Sequence, residues 1–226
     1  MSRVLAISPH LDDAIFSAGA TLAQHVADGD DVTIITCFTG NVAQPQGFAL
    51  ACQLDKGLSA SVDYMALRRA EDAAACAALG ARHMHLPHLE APHRGYDSAP
   101  ALFAGVLTSD GMAADLRASL AAILAHEQPD ILYGPMAVGD HVDHIIVREV
   151  LEEKASQGLL WEDFPYAMRN DQPAADAECR HPADVMLEKK INAAACYTSQ
   201  IPFQFGSLEE MRHAMAGWKT ERFVQF

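Results

Sequence analysis

The sequence predicts an α/β fold in which a mostly parallel sheet carries helices on both faces. Two observations lead to this prediction. Short strand-like runs alternate with segments of helical periodicity along the chain. Some of these runs are also continuously apolar and β-branched, as in VTIITCF at residues 32–38, which is typical of strands covered on both faces. The 226 residues contain no internal repeat or linker, so we expect a single domain over residues 1–226.

The predicted elements alternate in a regular order. Strands are predicted at residues 4–8, 32–38, 82–86, 131–133, 159–166 and 222–226. Helices are predicted at residues 14–27, 65–79, 113–126, 142–154, 185–196 and 208–219. The remaining long segments, 40–60, 88–100 and 171–182, are predicted to be irregular, and the first of them has the length of a lid over a site.

Composition and charge exclude several classes of function. A net charge of −14 repels phosphate backbones and anionic membranes, so neither nucleic acid nor a membrane is an expected partner. We see neither an apolar leader nor an apolar run long enough to span a bilayer. The cysteines are odd in number and form no CxxC pair, which predicts free thiols in a reducing, cytoplasmic setting. A homo-oligomer is compatible with these features.

The first cluster of chemically active residues is Pro9-His10-Leu11-Asp12-Asp13, directly after the first predicted strand. One aspartate here would be explained as the cap of the following helix. Two adjacent carboxylates repel each other unless a cation offsets their charge. The spacing allows His10 and Asp13 to converge on one ion while Asp12 points to a bound water. The cluster therefore predicts half of a metal site.

The second cluster is Asp140-His141-Val142-Asp143-His144, after the fourth predicted strand. Asp140 and Asp143 alone resemble a helix start of the capping-box kind. His141 and His144, however, share one face of the first helical turn. The carboxyl ends of strands are where open α/β sheets bind ligands, and no Gly-x-Gly-x-x-Gly follows the first strand to indicate a dinucleotide. Together the clusters predict a metal-assisted hydrolase.

Both clusters resemble motifs of the PIG-L/LmbE-like zinc N-deacetylase family, which usually read His-Pro-Asp-Asp-Glu and His-Pro-Asp-His. Weaker matches are RRAE at 68–71 with LG at 79–80, WEDFPY at 161–166 and YTSQ at 197–200. The chain departs from the family pattern where Ala14 replaces the glutamate and where Leu11 and Val142 replace prolines. The resemblance covers most of the chain and implies a Rossmann-like fold.

The resemblance also implies hydrolysis of an N-acetyl group on a small molecule, usually an amino sugar, free or within a glycoside or natural product. His10, Asp13 and His144 would hold one zinc ion, with another divalent ion such as Fe²⁺ as the alternative. Asp12 would be the general base. His141 would stabilise the oxyanion and, as an imidazolium, protonate the leaving amine, while Asp143 would orient a histidine.

Substrate contacts are predicted for Arg68, Arg69, Arg94 and Tyr96, which follow the second and third strands. Arginine suits anionic groups and tyrosine stacks on sugar faces, but solvated surface is the alternative for all of them.

Three other functions remain open at this point. A metallo-β-lactamase-like hydrolase would use the second cluster and leave the first without a role. A zinc amidase would cleave a thiol conjugate instead of an acetamide. A metal-binding but inactive relative would need neither Asp12 nor His141.

Overall fold

The structure is a computed structural model that describes residues 1–169 and 177–226. Its strands are β1 (Arg3–Ser8), β2 (Asp31–Thr36), β3 (Arg82–His85), β4 (Ile131–Pro135), β5 (Leu159–Trp161), β6 (Glu178–Arg180) and β7 (Glu221–Gln225). They form one seven-stranded sheet in the order β3-β2-β1-β4-β5-β7-β6. The first five strands pair in parallel, whereas β7 runs antiparallel to β5 and to β6. The predicted mostly parallel sheet is confirmed.

Helices cover both faces of the sheet. They are α1 (Asp13–Ala27), α2 (Gly47–Leu54), α3 (Tyr64–Leu79), α4 (Met112–Glu127), α5 (Val142–Lys154), α6 (Asp184–Ala194), α7 (Ile201–Phe205) and α8 (Leu208–Gly217). Helices α1, α3 and α6 pack apolar residues into one core cluster, and α4 and α5 supply a second. Strand β1 contributes to both, with Val4 in one cluster and Leu5 in the other. Such two-sided burial explains why the central strands are apolar along their length.

Several segments differ from the sequence prediction. The segment 40–60, predicted to be a loop, contains α2, and the predicted strand 159–166 ends at Trp161. Beyond Trp161 the Phe164 N–H donates to Ser17 Oγ of α1, outside the sheet, and a 3₁₀ turn (Tyr166–Arg169) follows. The predicted irregular segment 171–182 contains β6, while its residues 171–176 lie outside the described residues.

The topology brings the two histidine clusters together. Strand β1 lies between β2 and β4. The strands that follow β1 first, β2 and β3, extend the sheet on one side of it, and the later strands from β4 onward extend it on the other side. The parallel register pairs Val4 with Ile131 and Ala6 with Tyr133, which aligns the carboxyl ends of β1 and β4. A crevice outside the carboxyl ends at such a reversal is the usual ligand site of an open α/β sheet.

In the two described stretches of the chain, no helix combines the length and the apolar character that crossing a bilayer requires. All five cysteines are free thiols.

Candidate active site

The two clusters meet at the start of two helices, but their aspartates do not act as simple caps. Asp12 occupies the N-cap of α1, and its side chain makes no capping hydrogen bond. At α5 the N-cap is His141, whose Nδ1 accepts the backbone N–H of Asp143 at 3.2 Å. This bond leaves Nε2 as the ring nitrogen that carries the proton in a neutral imidazole. The capping interpretation therefore fails for both aspartate pairs.

Three side chains converge as a metal-ligand set. One ligand atom from each of His10, Asp13 and His144 lies within 4.8 Å of the others. Asp13 Oδ2 is 3.1 Å from His10 Nδ1 and 3.2 Å from His144 Nε2. Within the described residues, the buried His144 Nε2 makes no well-aligned hydrogen bond, and its 3.2 Å contact to Asp13 Oδ2 is that of two atoms that could face one ion. Two imidazole nitrogens and one carboxylate fit a catalytic zinc ion, which keeps a further position open.

Asp163 orients His144 by contacting the ring nitrogen that points away from Asp13. Its Oδ1 is 2.9 Å from His144 Nδ1, so Nε2 faces Asp13. The other carboxylate oxygen of Asp163 accepts the Val138 N–H at 2.8 Å. Carboxylate–histidine pairs of this kind are common around metal ligands. Asp163 lies within the WEDFPY segment, so its position in that motif was the signal that could have identified it.

His10, His141 and Asp143 form a second set within the same distance limit. The Asp143 carboxylate is already engaged, however. Its Oδ2 is 2.9 Å from His10 Nε2 and accepts the Ala91 N–H at 3.1 Å, and its Oδ1 is 2.8 Å from the Arg94 guanidinium. Asp143 therefore holds His10 in place, and the first set is the better metal site.

Asp12 lies beside the metal-ligand set and lines the same cavity. Its Oδ2 accepts a hydrogen bond from Gln204 Nε2 at 3.1 Å and lies 3.6 Å from Arg68 Nη2. Burial and the neighbouring Asp13 charge raise the pKa of Asp12 to about 6, despite the opposing charge of Arg68. A carboxylate with a pKa near neutrality can both accept and return a proton.

Burial and neighbouring charges shift the pKa values of His10 and His141 in opposite directions. Burial lowers the pKa of His10, but hydrogen bonds to Asp13 and Asp143 more than offset this and raise it to about 9. Burial, aided by the positive charge of His10, lowers the pKa of His141 to about 3. This lowered pKa favours the neutral imidazole of His141.

A cavity of about 280 Å³ opens above these residues and is also lined by Arg68, Glu90 and Tyr166. Arg68 is buried and forms an ion pair with Glu90. Of the four predicted substrate contacts, Arg68 is the one that the structure brings to the cavity. Glu90 was missed because it lies in the predicted loop 88–100 without a surrounding motif.

The other three predicted substrate contacts lie elsewhere. Arg69 donates to the Thr39 carbonyl at 2.7 Å. Arg94 is bound between two carboxylates, with its Nη2 2.9 Å from Asp110 and 2.8 Å from Asp143. Tyr96 is fully buried and donates its hydroxyl to Asp110 at 2.9 Å. These side chains bond to other protein groups, and none of the three lines the cavity.

Two of the weaker motifs, RRAE and YTSQ, contact each other next to the segment that carries Gln204. Glu71 of RRAE accepts hydrogen bonds from the backbone N–H and hydroxyl of Ser199 at 2.8 and 2.7 Å. Tyr197 donates to Asp72 at 2.7 Å. These bonds fix the segment before α7, the helix that carries Gln204 to Asp12. Gln204 could not be predicted from the sequence, because its partner Asp12 is 192 residues away.

Comparisons with known proteins agree on the family. Residues 5–155 match the PIG-L family, described as GlcNAc-PI de-N-acetylase. A 2'-N-acetylparomamine deacetylase from Streptomyces fradiae is 28% identical over 95% of this chain and 79% of its own length. A 1D-myo-inositol 2-acetamido-2-deoxy-alpha-D-glucopyranoside deacetylase from Corynebacterium glutamicum is 32% identical to this chain. The matched region covers 71% of this chain and 55% of that relative.

Solved structures are similar over the whole chain. A deacetylase of the teicoplanin biosynthesis pathway superposes with a TM-score of 0.84 at 29% identity, covering 100% of this chain and 99% of its own. The A40926 pseudoaglycone deacetylase gives a TM-score of 0.82 at 28% identity, covering 100% and 97%. The match to the family extends over both histidine clusters, and its solved relatives share the fold from end to end. The chain belongs to the PIG-L family, as the paired motifs predicted.

Proposed function

We propose that this protein is a metal-dependent hydrolase, with zinc as the metal, that removes the acetyl group from an N-acetylated amino sugar. The observation that carries the proposal is the convergent set of His10, Asp13 and His144, with Asp12 beside it at the wall of the cavity that His10 and Asp13 also line. The deacetylases of Streptomyces fradiae and Corynebacterium glutamicum support the substrate class by similarity. Family membership removes the metallo-β-lactamase-like alternative.

His10, Asp13 and His144 would hold the ion, which when bound would acidify a water molecule and polarise the acetamide carbonyl. Asp143, itself paired with Arg94, would keep the His10 ring oriented, as Asp163 does for His144. These outer contacts set which ring nitrogen of each histidine faces the ion.

Asp12 would act as general base and then as general acid. It would take a proton from the attacking water and deliver it to the nitrogen of the leaving amine. The hydrogen bond from Gln204 keeps one carboxylate oxygen in place during this transfer. Proton transfer by a positioned group contributes typically about 10²–10⁴-fold to a rate.

His141 would stabilise the tetrahedral oxyanion as a neutral donor. Its Nδ1 accepts the Asp143 N–H, so the proton on Nε2 is free to be donated. The predicted imidazolium role disagrees with this geometry, because a second proton on Nδ1 would point at the Asp143 N–H. Asp12 is therefore the proton donor that the geometry favours. Arg68 and Glu90, paired at the cavity wall, would contact sugar hydroxyls.

The test measures metal content by mass spectrometry and acetate release from N-acetylated amino sugars, with and without added zinc or Fe²⁺. We expect about one ion per chain in the wild type and its loss in Asp13→Ala. Asp12→Asn should keep the ion and slow deacetylation by about 10²–10⁴-fold.

Wild-type activity in Asp12→Asn would contradict the mechanism. A metal-loaded wild type that releases no acetate would instead point to the inactive relative. Amide cleavage of a thiol conjugate without any deacetylation would point to the amidase.

A further inference from the structure

Strand β3 forms one edge of the sheet and carries two histidines on the same face. His83 and His85 are two positions apart, so their side chains leave the strand in the same direction. Met84 between them packs against the core cluster of α4 and α5, on the opposite face. The two histidines therefore lie on the side of the sheet that carries α3, at an edge with no further strand beyond it among the described residues.

The two imidazole rings lie close together, and His83 is exposed. Their centroids are 5.0 Å apart, with 36° between the ring planes. A metal–nitrogen bond of about 2.1 Å places a ring centroid about 3.2 Å from the ion, so two imidazoles bound at about 90–110° have centroids about 4.6–5.3 Å apart. The observed separation falls within this range. The rings of His83 and His85 are therefore spaced to bind one ion between them.

A buried carboxylate fixes the His85 ring. Asp72 of α3 has its Oδ2 2.7 Å from His85 Nε2, and its Oδ1 accepts the Tyr197 hydroxyl at 2.7 Å. An ionised carboxylate at Nε2 keeps the proton of a neutral imidazole on that nitrogen and leaves the lone pair of Nδ1 for a ligand. Asp163 bonds to one ring nitrogen of His144 in the same manner. The edge of the sheet thus repeats a carboxylate–histidine contact found at the proposed catalytic metal site.

Polar residues on an edge strand also prevent pairing with the sheet of another molecule, and this is the alternative role of the two histidines. That role requires polarity on the strand but no carboxylate bonded to one of the rings. Arg82, whose side chain is 57% exposed and pairs with Asp31, already places charge at this edge. The contact between Asp72 and His85 is the observation that distinguishes a pair of metal ligands from a polar edge.

We propose that His83 and His85 form a second metal site, which binds a divalent transition ion of the class of Ni²⁺, Cu²⁺ and Zn²⁺. Imidazole nitrogen suits these ions, whereas Mg²⁺ and Ca²⁺ prefer oxygen ligands. Water completes the coordination, so the ion exchanges with solvent. The net charge of −14 attracts cations to the chain. Neither histidine lines the cavity, and the inference does not depend on the proposed function.

The test is a calorimetric titration of Ni²⁺ alone into untagged, desalted protein. We expect the wild type and Asp13→Ala to share a binding event that His83→Ala lacks. In Asp72→Asn the Ni²⁺ affinity of this site should fall by about 10- to 100-fold, because the His85 ring loses the charged partner that orients it. His126→Ala on α4, where the side chain is 85% exposed, is the matched control and should retain the event.

Equal titrations of the wild type and His83→Ala would overturn the inference, whatever the deacetylase activity of either protein. Loss of the event in Asp13→Ala would assign it to the cavity and would also overturn the inference. Unchanged affinity in Asp72→Asn would remove the role given to that carboxylate and leave only a polar edge. Circular dichroism of His83→Ala should match the wild type, because the replaced ring is exposed. Excess Ni²⁺ should raise the midpoint of thermal unfolding of the wild type more than that of His83→Ala.

Discussion

At the residue scale, the site depends on buried charges that are held in a chain of contacts. Tyr96 donates to Asp110, Asp110 pairs with Arg94, and Arg94 pairs with Asp143. Asp143 then bonds to His10, and its side chain is fully buried. A buried carboxylate that loses its cation is strongly destabilised, so Arg94 links folding to the orientation of a proposed metal ligand.

Arg94→Ala should lower the free energy of unfolding by about 3–5 kcal/mol, because Asp143 would remain buried without its cation. It should also weaken zinc binding, because His10 would lose a fixed partner. Urea unfolding and a zinc titration measure the two effects. Arg94→Lys should recover part of both, since it restores the charge but not the paired geometry.

Arg117→Ala is the matched control for this prediction. Arg117 pairs with Glu153 at the surface, where the two side chains are 40% and 46% exposed. Its loss should change stability by about 1 kcal/mol or less. If Arg94→Ala behaved like Arg117→Ala, the chain of contacts would have no energetic role.

Single residues also mark the limit of what the sequence predicts. The two clusters were predictable because each is local, with its members within five positions of one another. The supporting role of Arg94 was not, because Asp110 lies 16 positions away and Asp143 comes from another strand end. Arg94 and Tyr96 were predicted to contact a ligand because arginine and tyrosine in a loop near a site commonly do so. Their internal partners become visible only in the folded structure.

At the element scale, prediction succeeded for elements that bury many residues and failed for elements that bury few. Strands β1 and β2 are buried along nearly their whole length, and their apolar runs predicted them within two residues at each end. Helix α2 buries only Ala49 and Gln53, so no apolar stripe distinguishes it from a loop. Strand β6 has three residues, of which none is fully buried, and was missed for the same reason.

A buried ion pair joins three elements on one face of the sheet. Lys190 of α6 and Glu221 of β7 lie 2.8 Å apart, and each side chain is 2% exposed. Glu221 also accepts the backbone N–H groups of Ala20 and Thr21 in α1 at 3.0 and 2.8 Å. Gly19 makes the approach feasible, since a Cβ there would lie 3.0 Å from Lys190 Cγ. The pair fixes where α6 crosses α1.

Lys190→Met and Glu221→Leu should each destabilise the fold by about 3–5 kcal/mol, because each leaves one buried charge without its partner. The double variant should lose clearly less than the sum of the two, since no unpaired charge remains. Denaturant unfolding of the full cycle measures the coupling. Strict additivity would mean that the two charges do not interact energetically in the folded protein.

At the scale of the whole molecule, acidic groups are concentrated around the site within a chain of net charge −14. The carboxylates of Asp12, Asp13, Asp143 and Asp163 are all buried there. A divalent cation bound among them would relieve their mutual repulsion. Binding that is restricted to the folded state raises the stability of the entire fold.

Removal of the ion with a chelator should therefore lower the midpoint of thermal unfolding. An ion present at 100 times its Kd contributes about 2.7 kcal/mol, which corresponds to roughly 5–10 °C for a chain of this size. Differential scanning calorimetry with and without chelator measures the shift. Asp13→Ala should show no shift, and an equal shift in that variant would place the ion elsewhere.

The wall and the base of the cavity come from structurally different parts of the molecule. The base is built on the ends of β1 and β4. Phe48, Phe103 and Phe203 of the wall come instead from α2, a 3₁₀ turn (Pro100–Phe103) and α7, all of them short. Exchange of these short segments between relatives would leave the central strands untouched. The molecule is thus a natural scaffold for loop grafting, in which new glycoside preferences are selected without rebuilding the reaction centre.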